Sequence, residues 1–201
     1  MSNNDRPDVQ QPREHEDARV ERSVAAVRQA MGELLFEQRF EDITVQRILD
    51  RAGVARATFY AHYRNKDDAL YASFEGMISR FEASIDAPSR PRGRLVPVAD
   101  LLQHFSSAGP VFGTLREAGR LDGIWSLGTD LVAALIERRA AANSSARDDL
   151  RLQARMLSGA CMEMMRWWME QPQPPTAERL DAQFHAMAAR VLGRALATRA
   201  L

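Results

Sequence analysis

The sequence of 201 residues contains one cysteine, Cys161, so no disulfide can form within the chain and packing must stabilise the fold. It has no run of about 18 apolar residues, which is what a membrane-spanning helix requires. The segment from Met1 to Val20 is polar and acidic, whereas a secretory signal has basic residues followed by apolar ones. We therefore expect a cytoplasmic protein with no membrane partner.

Residue combinations typical of enzymes are missing as well. The chain has no nucleophile elbow, no phosphate-binding glycine loop and no His-x-x-x-His pair. Its histidines are scattered along the sequence, at His15, His62, His104 and His185. We therefore expect no enzymatic activity, no metal site and no cofactor.

The chain also has no net charge, because 27 basic residues balance 27 acidic ones. That balance would argue against a nucleic-acid partner, since DNA binding requires positive charge near the phosphates. The segment from Thr44 to Lys66 differs from the average: five basic residues and one acidic residue give it a local charge of +4, with His62 in addition. These charged residues are Arg47, Asp50, Arg51, Arg56, Arg64 and Lys66. The segment is the candidate nucleic-acid-binding surface.

Apolar residues recur at steps of three and four, the period of an α-helix, and no strand alternation or internal repeat is visible. A first helix is predicted from Val20 to about Gln38. Two short helices follow, the first capped by Thr44 and ended by Gly53, which suits a left-handed turn. Two short helices joined by such a turn have the spacing of a helix-turn-helix. We therefore predict an all-α fold.

The organisation of the chain follows from composition. Residues 1–18 are predicted to form a disordered tail, because they contain hardly any apolar side chain. Prolines and a glycine interrupt the helical pattern between Ile85 and Pro97 and indicate a linker. We therefore predict a three-helix DNA-binding domain over residues 19–84. A helical domain for effector binding and dimerisation is predicted over residues 85–201, with two long helices at its end.

The segment from Thr44 to Leu70 strongly resembles the DNA-binding domain of the TetR family of regulators. The resemblance covers roughly residues 19 to 70. It rests on the turn glycine Gly53, the Thr-Phe-Tyr-x-His-Tyr segment of residues 58–63, and Lys66 at the start of the next helix. It implies a homodimeric transcriptional repressor that binds a palindromic operator in double-stranded DNA. Many relatives have Ser or Thr in place of Ala55 and Gly in place of Ala57, so the operator sequence stays open.

Individual DNA contacts can be predicted from the chemistry of this segment. The polar ends of Tyr60 and His62 suit phosphate oxygens. Lys66 opposes the dipole at the start of a helix, a penalty that a bound phosphate would reverse. By resemblance, Arg56 and Thr58 face base edges, and Arg56 can bind O6 and N7 of guanine. The predicted DNA-contacting residues are Thr44, Arg47, Ala55, Arg56, Ala57, Thr58, Tyr60, His62, Tyr63 and Lys66.

The C-terminal half contains enough aromatic and soft apolar side chains to line a pocket. The resemblance implies a cavity for a small-molecule effector, which we expect to be mostly apolar. The candidate lining residues are His104, Phe105, Phe112, Leu115, Trp125, Met156 and Trp167. Ordinary core packing is the alternative for each of them.

The long helix from Asp148 to Glu170 is apolar on two faces and therefore needs two partners. One is its own domain, and the other is expected to be the same helix pair of a second subunit. The candidate interface residues are Leu150, Leu157, Cys161, Met164, Trp168, Leu180, Phe184, Met187 and Val191. Two alternatives stay open: regulation by a protein partner, and dimerisation without any effector. For Cys161, an inert buried thiol and a redox sensor both stay open.

Overall fold

A computed structural model describes residues 11–85, 93–141 and 147–193 of the chain. Within these ranges the structure is helical and contains no strand, which confirms the all-α prediction. The helices are α1 (Gln11–Glu37), a 3-10 helix (Phe40–Asp42), α2 (Val45–Ala52), α3 (Arg56–His62), α4 (Lys66–Ile85), α5 (Val98–Ser107), α6 (Gly109–Glu117), α7 (Leu121–Ala140), α8 (Arg147–Glu170) and α9 (Ala177–Val191). None of the helices in these ranges is both long enough and apolar enough to pass through a membrane.

The chain forms two compact units, Met1–Ser73 and Phe74–Leu201, and the division falls inside α4. The sequence places the domain limit near residue 84, where α4 ends. Proline and glycine show where a helix ends, whereas the division into units depends on which helices pack together. Residues 86–92, which hold part of the predicted linker, lie outside the described residues. The domain limits therefore stay a prediction.

Helix α1 begins at Gln11, earlier than a disordered tail over residues 1–18 allows. Residues 11–18 contain Gln, Arg, Glu and Ala, which have high helix propensity, so a helix nucleated by the apolar residues further on extends backwards through them. Residues 1–10 lie outside the described residues.

The first unit is built around fully buried apolar side chains of α1, the 3-10 helix, α2 and α3. Helix α1 packs against both α2 and α3. Met31, Phe40, Ile48 and Phe59 are almost completely buried there. Full burial of such a side chain contributes roughly 1.5–3 kcal/mol, so this small core can fix the arrangement of two short helices.

The second unit consists of the later half of α4 and helices α5 to α9. Helix α7 packs along α8, α5 packs against α9, and α6 packs against α7. Leu102, Leu115 and Leu135 are fully buried core residues. Thr176 caps α9 by accepting a hydrogen bond from the backbone N–H of Arg179 at 3.3 Å.

A buried polar cluster joins α9 to the segment that leads into α5. Nε2 of His185 accepts a hydrogen bond from the backbone N–H of Leu95 at 3.0 Å, and Nδ1 lies 2.7 Å from the carbonyl oxygen of Asp181. Arg94 forms an ion pair with Asp181 at 2.9 Å. An accepting Nε2 requires a neutral ring. Burial lowers the pKa of His185 to about 4, which keeps the ring neutral at pH 7.

We expect the free energy of unfolding to decrease as pH falls from 7 to 4. In the unfolded chain His185 binds a proton near its ordinary pKa of 6.5, whereas in the folded chain it does so only near pH 4. Stability from the neutral ring is therefore complete above pH 6.5 and is lost progressively below it, by about 3 kcal/mol at pH 4. Denaturant unfolding at a series of pH values measures this loss.

The matched control is His185→Gln, which retains an accepting oxygen but does not titrate. Its unfolding free energy should depend less steeply on pH than that of the wild type. The same pH dependence in both proteins would contradict the assignment.

Candidate functional site

Helices α2 and α3 meet at a tight turn whose geometry is set by local sequence. The hydroxyl oxygen of Thr44 accepts a hydrogen bond from the backbone N–H of Arg47 at 3.2 Å and so caps α2. Gly53 ends α2 with a φ of +65°, a left-handed conformation that residues with a Cβ adopt at a cost. Helix α3 then begins after Ala55, whose side chain forms no cap hydrogen bond.

Helix α3 has a buried side and an exposed side. Phe59 is 0% exposed and Tyr63 is 6% exposed, with their ring centroids 5.2 Å apart, whereas Tyr60 is 48% exposed. The prediction that Tyr63 contacts DNA is therefore wrong. Tyr63 follows Phe59 by one helical turn, so it lies on the buried side of the helix.

The other predicted contact residues on α2 and α3 are accessible. Seven of them are exposed, and Thr58 is half-buried. We refer to these residues as the α2–α3 surface: Thr44, Arg47, Ala55, Arg56, Ala57, Thr58, Tyr60 and His62. The contact of each with DNA stays a prediction.

Two of the five basic side chains in the segment 44–66 are paired with carboxylates. Arg51 contacts Glu37 at 2.6 Å and Glu33 at 3.3 Å, and Arg64 contacts Asp68 at 2.9 Å. The hydrogen bond from Arg51 lowers the pKa of Glu37, and those from the Arg64 side chain and backbone lower the pKa of Asp68. Both carboxylates are therefore ionised at pH 7, and Arg51 and Arg64 add little net positive charge to the surface.

Two other arginines are held by uncharged groups. The side-chain oxygen of Gln38 accepts a hydrogen bond from Arg47, and that of Gln46 accepts one from Nη2 of Arg56 at 2.9 Å. A glutamine amide carries no net charge, so Arg47 and Arg56 are oriented without being neutralised. The composition and periodicity of the sequence do not single out either glutamine. One signal was present for Gln46, since its spacing to Asp50 allows a hydrogen bond along a helix face.

Lys66 has a structural role that the sequence does not reveal. Its ammonium group donates hydrogen bonds to the carbonyl oxygens of Phe40 (2.8 Å), Glu41 (3.1 Å) and Ile43 (2.9 Å), and lies 4.5 Å from the centre of the Phe40 ring. These bonds engage all three donors of an ammonium group. The carbonyls of the turn before α2 therefore offset the unfavourable dipole, and direct phosphate binding by Lys66 stays a prediction. Lys66 ties that turn to the start of α4.

Comparison with known families identifies the first unit. Residues 30–73 match the family described as bacterial regulatory proteins, tetR family. This segment of the chain is similar to the N-terminal domain of that family. The matched residues include α2, α3 and the turn between them, so the resemblance predicted from the sequence is confirmed on the residues that indicated it.

Two solved structures share the fold of this chain. A TetR transcriptional regulator from Streptococcus agalactiae 2603V is 22% identical, with a TM-score of 0.50, and the match covers 86% of this chain and 97% of that one. A tetR-family transcriptional regulator from Streptomyces coelicolor is 16% identical, with a TM-score of 0.52, and the match covers 90% of this chain and 89% of that one. No curated protein sequence matches the chain. At these identities the structures establish the fold alone.

The second unit contains an open cleft of about 910 Å³. Phe105, Phe112 and Trp125 from the predicted pocket line it, and the rings of Phe112 and Trp125 stack at 6.0 Å with an interplanar angle of 15°. Charged residues line it too: Arg116, Asp122, Arg166 and Glu170. The guanidinium of Arg166 lies 5.3 Å from the centre of the Trp125 ring.

The other four predicted pocket residues do not line this cleft. Leu115 is fully buried core, and the half-buried His104 packs on Phe81 with ring centroids 5.5 Å apart. Met156 and Trp167 are on the outside of α8, where they are 63% and 45% exposed. Their prediction as pocket residues is wrong because the opposite face of α8 is the one that packs inward.

Most of the predicted dimer-interface residues also pack inward, and the interface itself stays a prediction. Six of these residues are buried: Leu150, Leu157, Cys161, Trp168, Leu180 and Phe184. Trp168 lines the cleft and donates a hydrogen bond to the carbonyl oxygen of Pro175 at 2.7 Å, and Met164 is half-buried. Met187 and Val191 are exposed on α9, as an interface requires. The outward apolar residues of α8 are Leu152, Met156 and Trp167.

Cys161 has the properties of an inert thiol. It is fully buried, and burial raises the pKa of its thiol to about 12, so the reactive thiolate is not populated at pH 7. These properties do not favour a redox sensor. Over the described part of the chain, no group of three or more His, Cys, Asp or Glu residues could hold a metal ion.

We expect Lys66→Met to lower the free energy of unfolding by about 1.5–3 kcal/mol, because three carbonyl groups lose a charged donor. The salt dependence of DNA binding should not change. Arg39→Met is the matched control, since Arg39 is an exposed cation in the same turn. Unfolding and DNA titrations of both variants measure these effects. Unchanged stability together with a weaker salt dependence would identify Lys66 as a phosphate ligand instead.

Proposed function

We propose that the protein is a transcriptional repressor that acts in the cytoplasm, binds a palindromic operator as a homodimer and is released by a small-molecule effector. The observation that carries the DNA-binding role is the α2–α3 surface, which displays Arg47 and Arg56 without a neutralising carboxylate. Helix α3 buries Phe59 and exposes its other side, as a helix that enters the major groove does.

The residues of this surface suit different parts of a DNA duplex. Arg56 at the start of α3 can bind the O6 and N7 atoms of guanine through two N–H groups. Arg47 at the start of α2, together with Tyr60 and His62, can donate to phosphate oxygens, which fixes orientation without reading sequence. Ala55 and Ala57 place small side chains at the start of α3, where bulkier ones would keep the helix away from the bases.

A homodimer is required because one helix of this kind reads only a few base pairs. Two copies about 34–36 Å apart would read the two halves of a palindrome. The exposed apolar residues of α8 and α9 support a contact between copies: Leu152, Met156, Trp167, Met187 and Val191. Soluble chains rarely leave large apolar side chains in such a set exposed without a partner.

The cleft in the second unit is the proposed effector site. A volume of about 910 Å³ lies within the usual range of ligand pockets, and it is large enough for a molecule of metabolite size. Its lining combines aromatic rings with two arginines and two carboxylates, so it favours an amphipathic molecule over the mostly apolar one predicted from the sequence. Such a ligand releases DNA if it binds more tightly to the state with lower DNA affinity.

We expect Arg47→Ala to weaken binding to all duplexes about equally, and to reduce the slope of log K against log salt by about one. Arg64→Ala is the matched control, because Asp68 already pairs with Arg64. The slope of this variant should therefore stay near that of the wild type. Fluorescence anisotropy with duplexes from the inverted repeats that flank the coding gene measures both slopes.

Equal slopes for Arg47→Ala and the wild type would remove Arg47 from the phosphate contacts. Failure of the wild type to bind any of these duplexes at low salt would overturn the proposed function.

We expect a molecule that fits the cleft to raise the melting temperature by mass action. Thermal unfolding against a panel of amphipathic acids, amines and neutral metabolites tests this. The rise should be smaller in Arg166→Ala, which lacks the guanidinium above Trp125, and unchanged in Arg179→Ala, which lies on α9 and does not line the cleft. Equal rises in all three proteins would show that the ligand binds elsewhere.

A further inference from the structure

Gln46 connects the two helices of the α2–α3 surface. It lies on the exposed side of α2, and its side-chain oxygen accepts the hydrogen bond from Nη2 of Arg56, which is the first residue of α3. The amide nitrogen of Gln46 donates to a carboxylate oxygen of Asp50 at 2.8 Å, one turn further along α2. The Gln46 amide is thus held at both ends, and its orientation is fixed by Asp50.

The second contact of Arg56 comes from its own helix. The Arg56 guanidinium carbon lies 6.0 Å from the centre of the Tyr60 ring, at the outer limit of a cation–π contact. Among the described residues, Gln46 accepts the one hydrogen bond that Arg56 donates. A guanidinium has five N–H donors, so four remain available to a base or a phosphate.

The charge of the acceptor matters here. A carboxylate in the place of Gln46 would hold Arg56 equally well, but it would neutralise the guanidinium and repel phosphates, as Glu37 does beside Arg51. An amide orients the Arg56 guanidinium and leaves the full positive charge of that group available to DNA. Gln46 therefore has the properties of a residue that orients the base-contacting side chain of Arg56, not of a residue that stabilises the fold.

We propose that Gln46 is a positioning residue for base recognition: it holds the Arg56 guanidinium in a reading orientation and thereby sets the preference for guanine at one position of each half-site. This inference rests on the proposed function. Without Gln46, the Arg56 side chain would be ordered only when DNA binds. The lost conformational entropy would then reduce the preference of Arg56 for guanine over the other bases.

The test uses the full chain and a duplex selected from a random-sequence library by the wild type. Affinities are measured at one salt concentration by anisotropy for the selected duplex and for its single base-pair variants. The proteins are the wild type, Gln46→Ala, Arg56→Ala and the double variant Gln46→Ala/Arg56→Ala. Because Gln46 and Arg56 are exposed, all four should unfold at similar temperatures.

We expect Arg56→Ala to reduce discrimination at one base pair of the half-site by about 5- to 150-fold. Gln46→Ala should reduce it at the same base pair by about two- to tenfold. In the double variant, the loss of Gln46 should have no further effect, because there is no Arg56 to position. Gln46→Glu should keep the base preference, since it retains the acceptor, while binding every duplex more weakly.

Three results would overturn the inference. Wild-type discrimination in Gln46→Ala would show that Arg56 needs no support. An additional loss in the double variant would make Gln46 a direct reader of DNA, and so would a loss at a different base pair in Gln46→Ala. If the wild type selects no duplex at all, the proposed function fails instead, and the inference fails with it.

Discussion

The rest of the DNA-binding unit depends on the burial of Phe59, which lies on the inner side of α3. Helix α3 has only two turns and cannot be stable alone, so its orientation is fixed by what it packs on. With Phe59 and Tyr63 inward, Arg56 and Tyr60 are on the exposed side. The left-handed Gly53 and the bonds from Lys66 then fix the turns on either side of α2.

Charge on the surface is decided by partners rather than by composition. Five cations in the segment 44–66 become three once the ion pairs of Arg51 and Arg64 are taken into account. Lys66 keeps its charge, but three backbone carbonyls accept hydrogen bonds from its ammonium group. Arg47 and Arg56 keep their charge because glutamine amides hold them. A chain with no net charge can in this way display a small cationic surface, and neutral acceptors can make that surface rigid.

The sequence alone predicts the helix-turn-helix, its caps and most of its exposed residues, because these depend on spacing within a few residues. It fails where a side chain has two chemically reasonable partners. The periodicity of α8 shows two apolar faces but not which one packs inward, so Met156 was assigned to a pocket and Leu157 to an interface. Lys66 reaches carbonyls more than twenty residues earlier in the chain, which no local pattern reveals.

The central claim is that two copies of the α2–α3 surface bind one duplex. Sedimentation velocity of the purified chain with a labelled duplex that carries an inverted repeat from its own promoter tests this most directly. The account predicts a complex of two chains, or a multiple of two, on one duplex, formed at low salt and dissociated at high salt. A complex with one chain per duplex, or no complex at low salt, would contradict it.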